Sequence, residues 1–278
     1  MLKQRVITAL VLLALLLPAL LADTAEPLAG LTLILIAAGA WEWGSLNGFA
    51  MRGSLRLAAA CVMLCLFAWS ERWAYEMPAN VWTISGAAWV LVAGWLIRNG
   101  VAGWASISRV LRLVVGLLAL WLTWVAMYQA KVIGVNFLLS LLFLVWMADI
   151  AAYFSGRAFG RRKLAPAISP GKSWEGVWGG MVGVLLMACI WIWVDTQYAV
   201  DSASLYTRLY GRGIPFLVLA TLFLTLMSVA GDLVESLVKR SAGMKDSSHL
   251  LPGHGGVLDR VDALLPALPL AMMLAQSV

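Results

Sequence analysis

Charge is scarce in this chain: 12% of its 278 residues are Asp, Glu, Lys or Arg, roughly half the share of a typical soluble domain. Cysteine and histidine are scarcer still, at three and two. Cys61, Cys65 and Cys189 all fall inside apolar runs and match neither a disulfide framework nor a zinc spacing. The apolar runs lack the alternation that marks the strands of a membrane barrel. No internal repeat is visible, so nothing supports the inverted repeats of many transporters. Ser169-Pro170-Gly171-Lys172-Ser173 looks like a piece of a phosphate loop. The first glycine of that motif is missing and no strand pattern precedes it, so the Walker reading fails.

What the chain has instead is apolar residues, 62% of the total. Runs of about 17–20 of them recur from end to end, each long enough to cross a hydrocarbon core of about 30 Å. The expected fold is all-α: a polytopic integral membrane protein with about nine transmembrane helices. The spans fall near 6–22, 28–47, 55–70, 80–97, 110–129, 132–154, 174–194, 214–238 and 257–277. The first follows Lys3 and Arg5 as a signal peptide would, but Leu20 and Ala22 make a poor cleavage site, so it reads as a retained helix. Placing the N-terminus in the cytoplasm puts Lys3, Arg5, Arg52, Arg56, Arg98, Arg109, Arg112, Arg157, Arg161, Arg162, Lys163, Lys172, Lys239, Arg240, Lys245 and Arg260 on that side. Only Arg72, Lys131, Arg208 and Arg212 fall outside. This positive-inside bias supports the count and makes the C-terminus external. The net charge of +6 then reflects topology rather than nucleic acid. Many of the fifteen tryptophans sit near expected helix ends, as an interfacial belt requires.

Functionally the chain divides near residue 130. Residues 1–130 read as transmembrane scaffold and oligomer contact. Glu42, in Trp41-Glu42-Trp43, is the exception, because an acid at membrane depth is a functional candidate. Residues 131–278 carry the chemistry. Asp149 stands alone in an apolar run, and the loop after it holds Arg157, Arg161, Arg162, Lys163 and Lys172 with glycines and hydroxyls. Such a loop can wrap phosphate with amides and guanidinium forks. Charge then concentrates in residues 232–262, where Asp232, Glu235, Ser236, Lys239 and Arg240 share one helix face. Asp259 and Asp262 share another, beyond the turn Pro252-Gly253-His254-Gly255-Gly256. A solvated loop has no need of acids beside apolar runs. Carboxylates on facing helices with basic neighbours suit a magnesium ion that carries substrate phosphates.

Ser236-Leu237-Val238-Lys239-Arg240, then Lys245-Asp246, then His254-Gly255-Gly256-Val257-Leu258-Asp259-Arg260-Val261-Asp262 resembles, without a departure, the signature of the phosphatidate cytidylyltransferases, also called CDP-diacylglycerol synthases. Asp149-Ile-Ala-Ala-Tyr153 and Ser169-Pro-Gly-Lys172-Ser173-Trp-Glu175-Gly176 resemble the same family upstream. The resemblance covers the C-terminal half well and the N-terminal half through general topology only. It implies that CTP and phosphatidic acid give CDP-diacylglycerol and pyrophosphate in phospholipid biosynthesis. It further implies the bilayer of the inner membrane with a cytoplasmic-side site, Mg2+ with room for a second, monovalent cation, and a homodimer. On this reading Asp232 and Asp259 hold the metal, with Asp262 and Asp246 as second choices. Lys239, Arg240 and Arg260 bind substrate phosphates. Ser169, Lys172 and Ser173, with Arg161 and Lys245, cradle phosphate from the flanking loops, and His254, Gly255 and Gly256 let backbone approach the nucleotide. His249 reads equally as an exposed loop histidine, and Glu235–Lys239 equally as a helix-surface pair. A CDP-alcohol phosphotransferase would need an Asp-Gly-x-x-Ala-Arg motif, which is absent. A CTP-dependent lipid-alcohol kinase would need a base for a hydroxyl, and a cation-coupled transporter would need acids spread through the membrane depth.

Overall fold

Long apolar runs leave the backbone one way to satisfy its amides inside a membrane, which is to coil. The computed structural model describes residues 2–276, without the side chains of Leu2, Lys3 and Arg5; Val278, expected outside, lies beyond the described residues. The helices are α1 (Leu2–Leu21), α2 (Glu26–Leu46), α3 (Met51–Ser70), α4 (Ala79–Ser106), α5 (Arg109–Ile133), α6 (Val135–Phe159), α7 (Trp174–Gln197), α8 (Leu205–Tyr210), α9 (Ile214–Ser241), α10 (Leu258–Val261) and α11 (Leu264–Ala275). Seven of them, α2 to α7 and α9, are long and apolar enough to cross a membrane. The protein is an all-α polytopic membrane protein. α1 contributes a shorter apolar stretch, Val6–Leu21.

The expected span 257–277 is not one continuous helix. It is the single turn α10 followed by α11, whose twelve residues cover about 18 Å. Prolines explain the break. Pro266 has no N–H to give the Asp262 carbonyl four residues back, and Pro269 deprives Leu265 in the same way. Thr123 Oγ1 of α5, which donates to the Ala119 carbonyl of its own helix at 2.7 Å, lies 3.4 Å from the freed Leu265 carbonyl. α11 is apolar on every side, which suits only a buried helix. Leu268, Leu270, Ala271 and Met272 are buried, and α11 packs on α4, α5, α6, α8 and α9. The two halves of the chain therefore share a core.

The bundle has two chemically distinct ends. At one, Lys131 Nζ donates to the Leu20 and Ala22 carbonyls, both at 2.8 Å, and closes α1 against α5. Arg212 Nη1 meets the Leu274 carbonyl at the same end, at 3.5 Å, so the segment from α10 to α11 runs from one end to the other. At the opposite end Trp43 Nε1 donates to the Arg112 carbonyl and Thr8 Oγ1 to that of Pro252, both at 3.0 Å.

α6 and α7 pack closely because Gly176 and Gly180 lie against Ala152 and Ala148, where a Cβ would stand 3.0 Å from each carbonyl oxygen. Between these helices, the expected phosphate loop is a β-hairpin. β1 (Lys163–Ala165) pairs antiparallel with β2 (Ser169–Ser173), Lys163 opposite Ser173 and Ala165 opposite Ser169. Ser173 then caps α7, its Oγ accepting from Gly176 N at 3.2 Å, a contribution of about 1 kcal/mol to the helix. Glu175 accepts from the Arg161 and Arg162 amides at 3.1 Å and ties the hairpin base to the helix.

Candidate active site

The last three turns of α9 carry Asp232, Glu235 and Lys239 among the buried apolar residues Leu233, Val234, Leu237 and Val238. Asp232 faces the hairpin: its Oδ2 lies 2.6 Å from Lys172 Nζ, and its Oδ1 accepts from Ser236 Oγ at 3.2 Å. Asp149 of α6 stands within electrostatic reach of both Asp232 and Lys172. One turn on, Lys239 pairs with Glu235 on its own helix and lies 2.5 Å from Asp259 Oδ1. These three side chains are buried, at 13%, 4% and 8% exposure, so Glu235–Lys239 is no surface pair. Arg240 turns outward and donates to the Ile168 carbonyl at the hairpin tip, 3.4 Å away.

The stretch from 242 to 257 folds over this end of α9. Asp259 anchors it. Its Oδ2 accepts from Gly256 N at 2.7 Å and from Ser247 N and Oγ at 2.9 Å. Burial works against the Asp259 charge, but Lys239 and the Gly256 and Ser247 amides outweigh it and hold the carboxyl at about 2. With a pKa depressed on folding, its stabilising effect is full above the ordinary carboxylate value of about 4 and disappears only as pH falls through about 2. Arg260 braces the turn, its guanidinium donating to the His254 carbonyl. Arg161, Lys245, Asp246 and His249 are exposed. None of the four enters a salt bridge among the described residues. Ser169 is half-buried in the hairpin, and the Ser173 hydroxyl is committed to its cap.

Glu42 also belongs here, although it comes from α2. It is fully buried. One carboxylate oxygen accepts from Val257 N at 2.9 Å and Ser248 Oγ at 2.6 Å; the other accepts from Leu258 N at 2.8 Å and shares the Ser247 hydroxyl, 3.2 Å away, with Asp259. The glycines of the turn answer to these carboxylates. Gly255 has φ +83°, and a Cβ there would stand 2.6 Å from Asp259 Oδ2. A Cβ on Gly256 would collide with Ser247 Oγ and Glu42 Oε1. The space beside both glycines is filled by the protein's own acids. Gly256→Ala therefore lowers specific activity at least tenfold while the protein still inserts, measured on purified material matched for folded fraction; a variant with undiminished activity removes this packing argument.

This arrangement sits in a chain whose whole length matches one family model. The match, to the cytidylyltransferase family, covers residues 3–278. The chain belongs to that family. It is 38% identical over 276 residues to a phosphatidate cytidylyltransferase from Pseudomonas aeruginosa, taking in 97% of this chain and 95% of the relative. It is 50% identical over 136 residues to one from Haemophilus influenzae, which is 49% of this chain and 44% of that relative. A third, from Brucella suis, is 46% identical over 134 residues, 48% and 44% of the two chains.

Within this family member the carboxylates divide by what already surrounds them. Asp259 has both oxygens engaged by Lys239, Ser247 and Gly256, and Asp246 is exposed. Asp232 and Asp262 lie within electrostatic reach of each other. Asp262 enters no salt bridge among the described residues. No group of three or more Asp, Glu, His or Cys is arranged around one point among those residues. Magnesium characteristically takes one or two carboxylates and fills its shell with water and substrate phosphate. Asp232 and Asp262 fit that holder, and Asp259 fits the role of an anchor for Lys239 and the turn.

Proposed function

We propose that this chain transfers the cytidylyl group of CTP to phosphatidic acid, releasing pyrophosphate and leaving CDP-diacylglycerol. The observation that carries the reading is the pairing of Lys172 with Asp232 and of Lys239 with Asp259 at one end of α9, in a chain aligned almost throughout with a phosphatidate cytidylyltransferase. A lipid phosphate is already anionic at neutral pH and needs no base. Its oxygen forms the new bond to the α-phosphorus of CTP as the bond to the pyrophosphate oxygen breaks. The difficulty is bringing anions together, and fixed positive charge answers it. Lys172, on a hairpin tied to α7 and α9, and Lys239, held between two acids, are positioned before substrate arrives, so little reorganisation remains. Arg240 and Arg260, both exposed at the rim, meet the phosphates as they enter. A magnesium ion held by Asp232 and Asp262 supplies further screening of the phosphate charge when bound.

The reading places the site on the cytoplasmic side of the inner membrane, supported by the basic residues gathered at that end of the bundle. Association as a homodimer rests on the family resemblance, and light scattering of the solubilised protein decides it. One experiment tests reaction and sidedness together. Sealed membrane vesicles of either orientation receive phosphatidic acid, Mg2+ and CTP labelled in the base or in the γ-phosphate. Base label enters the lipid fraction in inverted vesicles only. Transfer of γ-label to lipid makes the protein a kinase instead, and equal labelling in both orientations overturns the sidedness.

A further inference from the structure

Glu42 is an acid near the C-terminal end of an apolar helix, where the local dipole disfavours negative charge, and it is fully buried with no basic side chain paired to it among the described residues. Such a carboxylate is costly unless donors surround it. It has four, and their order along the chain is informative. Ser247 and Ser248 lie six and seven residues beyond the end of α9, and Val257 and Leu258 lie where the chain enters α10. Glu42 thus closes the base of the turn that carries His254, Gly255 and Gly256. Asp259 binds the same base from the other side, and the two carboxylates meet at one hydroxyl, Ser247 Oγ.

We propose that Glu42 is a positioning residue for cytidylyl transfer: a buried carboxylate clasp from α2 that sets the turn over α9 and, through Ser247 and Asp259, the placement of Lys239. The inference rests on the reaction proposed above. The clasp requires a carboxylate rather than an amide. Each oxygen accepts one backbone N–H, so in either orientation a glutamine turns its NH2 group toward one of those N–H groups and leaves it unpaired.

The test compares Glu42→Gln with the parent protein at a temperature well below unfolding. The expected result is a KM for CTP raised at least fivefold with kcat lowered at least tenfold, and a thermal midpoint within about 3 °C of the parent's. Loss of folded protein lowers apparent kcat but leaves KM alone, so a reduced midpoint with unchanged KM overturns the proposal, as do parental kinetics. If Glu42→Gln does not fold, Ser248→Ala, which removes a single donor, raises KM at least twofold; an unchanged KM overturns the clasp. A second readout needs no turnover. Trypsin cleaves the ligand-free protein after exposed Lys245 at least five times faster in Glu42→Gln, mapped by mass spectrometry, and an equal rate overturns the proposal. A parent protein that makes no CDP-lipid defeats the reaction assignment, while the trypsin comparison still judges the clasp.

Discussion

Replacing Asp232 with asparagine lowers the rate of CDP-diacylglycerol formation at least a hundredfold. The amide keeps the shape of the carboxylate but not its charge, and that charge has two tasks at the site. It holds Lys172 at 2.6 Å, which sets the hairpin against α9, and in the site proposed above it would share a magnesium ion with Asp262. A hundredfold loss corresponds to about 2.7 kcal/mol of transition-state stabilisation, modest for an interaction that screens phosphate charge. The variant still inserts and folds, since removing one of two neighbouring acids relieves repulsion. Initial rates against Mg2+ concentration decide the matter. Asp259→Asn is the informative companion: the same change there unsettles Lys239 and the turn, so its Mg2+ dependence stays near that of the parent while its stability falls. A near-normal rate for Asp232→Asn, with an unaltered Mg2+ requirement, moves the metal elsewhere.

The second large effect is on stability. Lys239→Met leaves Glu235 and Asp259, 4% and 8% exposed, with no cation between them. Breaking a buried ionic group by removing one partner costs about 3–5 kcal/mol. In a chain of this size that lowers the unfolding midpoint by roughly 6–20 °C. Adding Glu235→Gln to Lys239→Met removes one of the stranded charges and restores at least half of the loss. Thermal unfolding in detergent, followed by tryptophan fluorescence, reads both variants. A Lys239→Met midpoint within about 2 °C of the parent's refutes the buried-triad account.

Much of this site is legible in the sequence for a simple reason: acids and bases among apolar residues must find partners, and residues 232–262 contain both. The spacing of Asp232, Glu235 and Lys239 puts them on one face without any structure. Which way that face turns is another matter, because α4, α7 and α11, which pack on α9, decide it. Glu42 shows the limit most clearly. Its place between two tryptophans in an apolar run marks it as unusual, but its four partners lie 205 to 216 residues away. The glycines of the turn mislead in the same way: as a type they suggest room for a ligand, whereas Asp259 and Glu42 occupy that room. In the fold, composition specifies membrane helices and charge specifies the two ends. The hairpin escapes notice because its strands, of three and five residues, are too short to show an alternating pattern. The broken last segment escapes because its apolarity outweighs Pro266 and Pro269 in any average over the run.

The position of α11 has a consequence for how the molecule is made. Each helix that surrounds it, α4, α5, α6, α8 and α9, precedes it in the chain, and a chain is synthesised in that order. The central element is therefore the last of this group to leave the ribosome, and its neighbours enter the membrane while the place they share is still empty. The arrival of α11 completes a core begun by others and carries Asp259 and Asp262 into place at one end, so burial of the centre and assembly of the polar site are the same event.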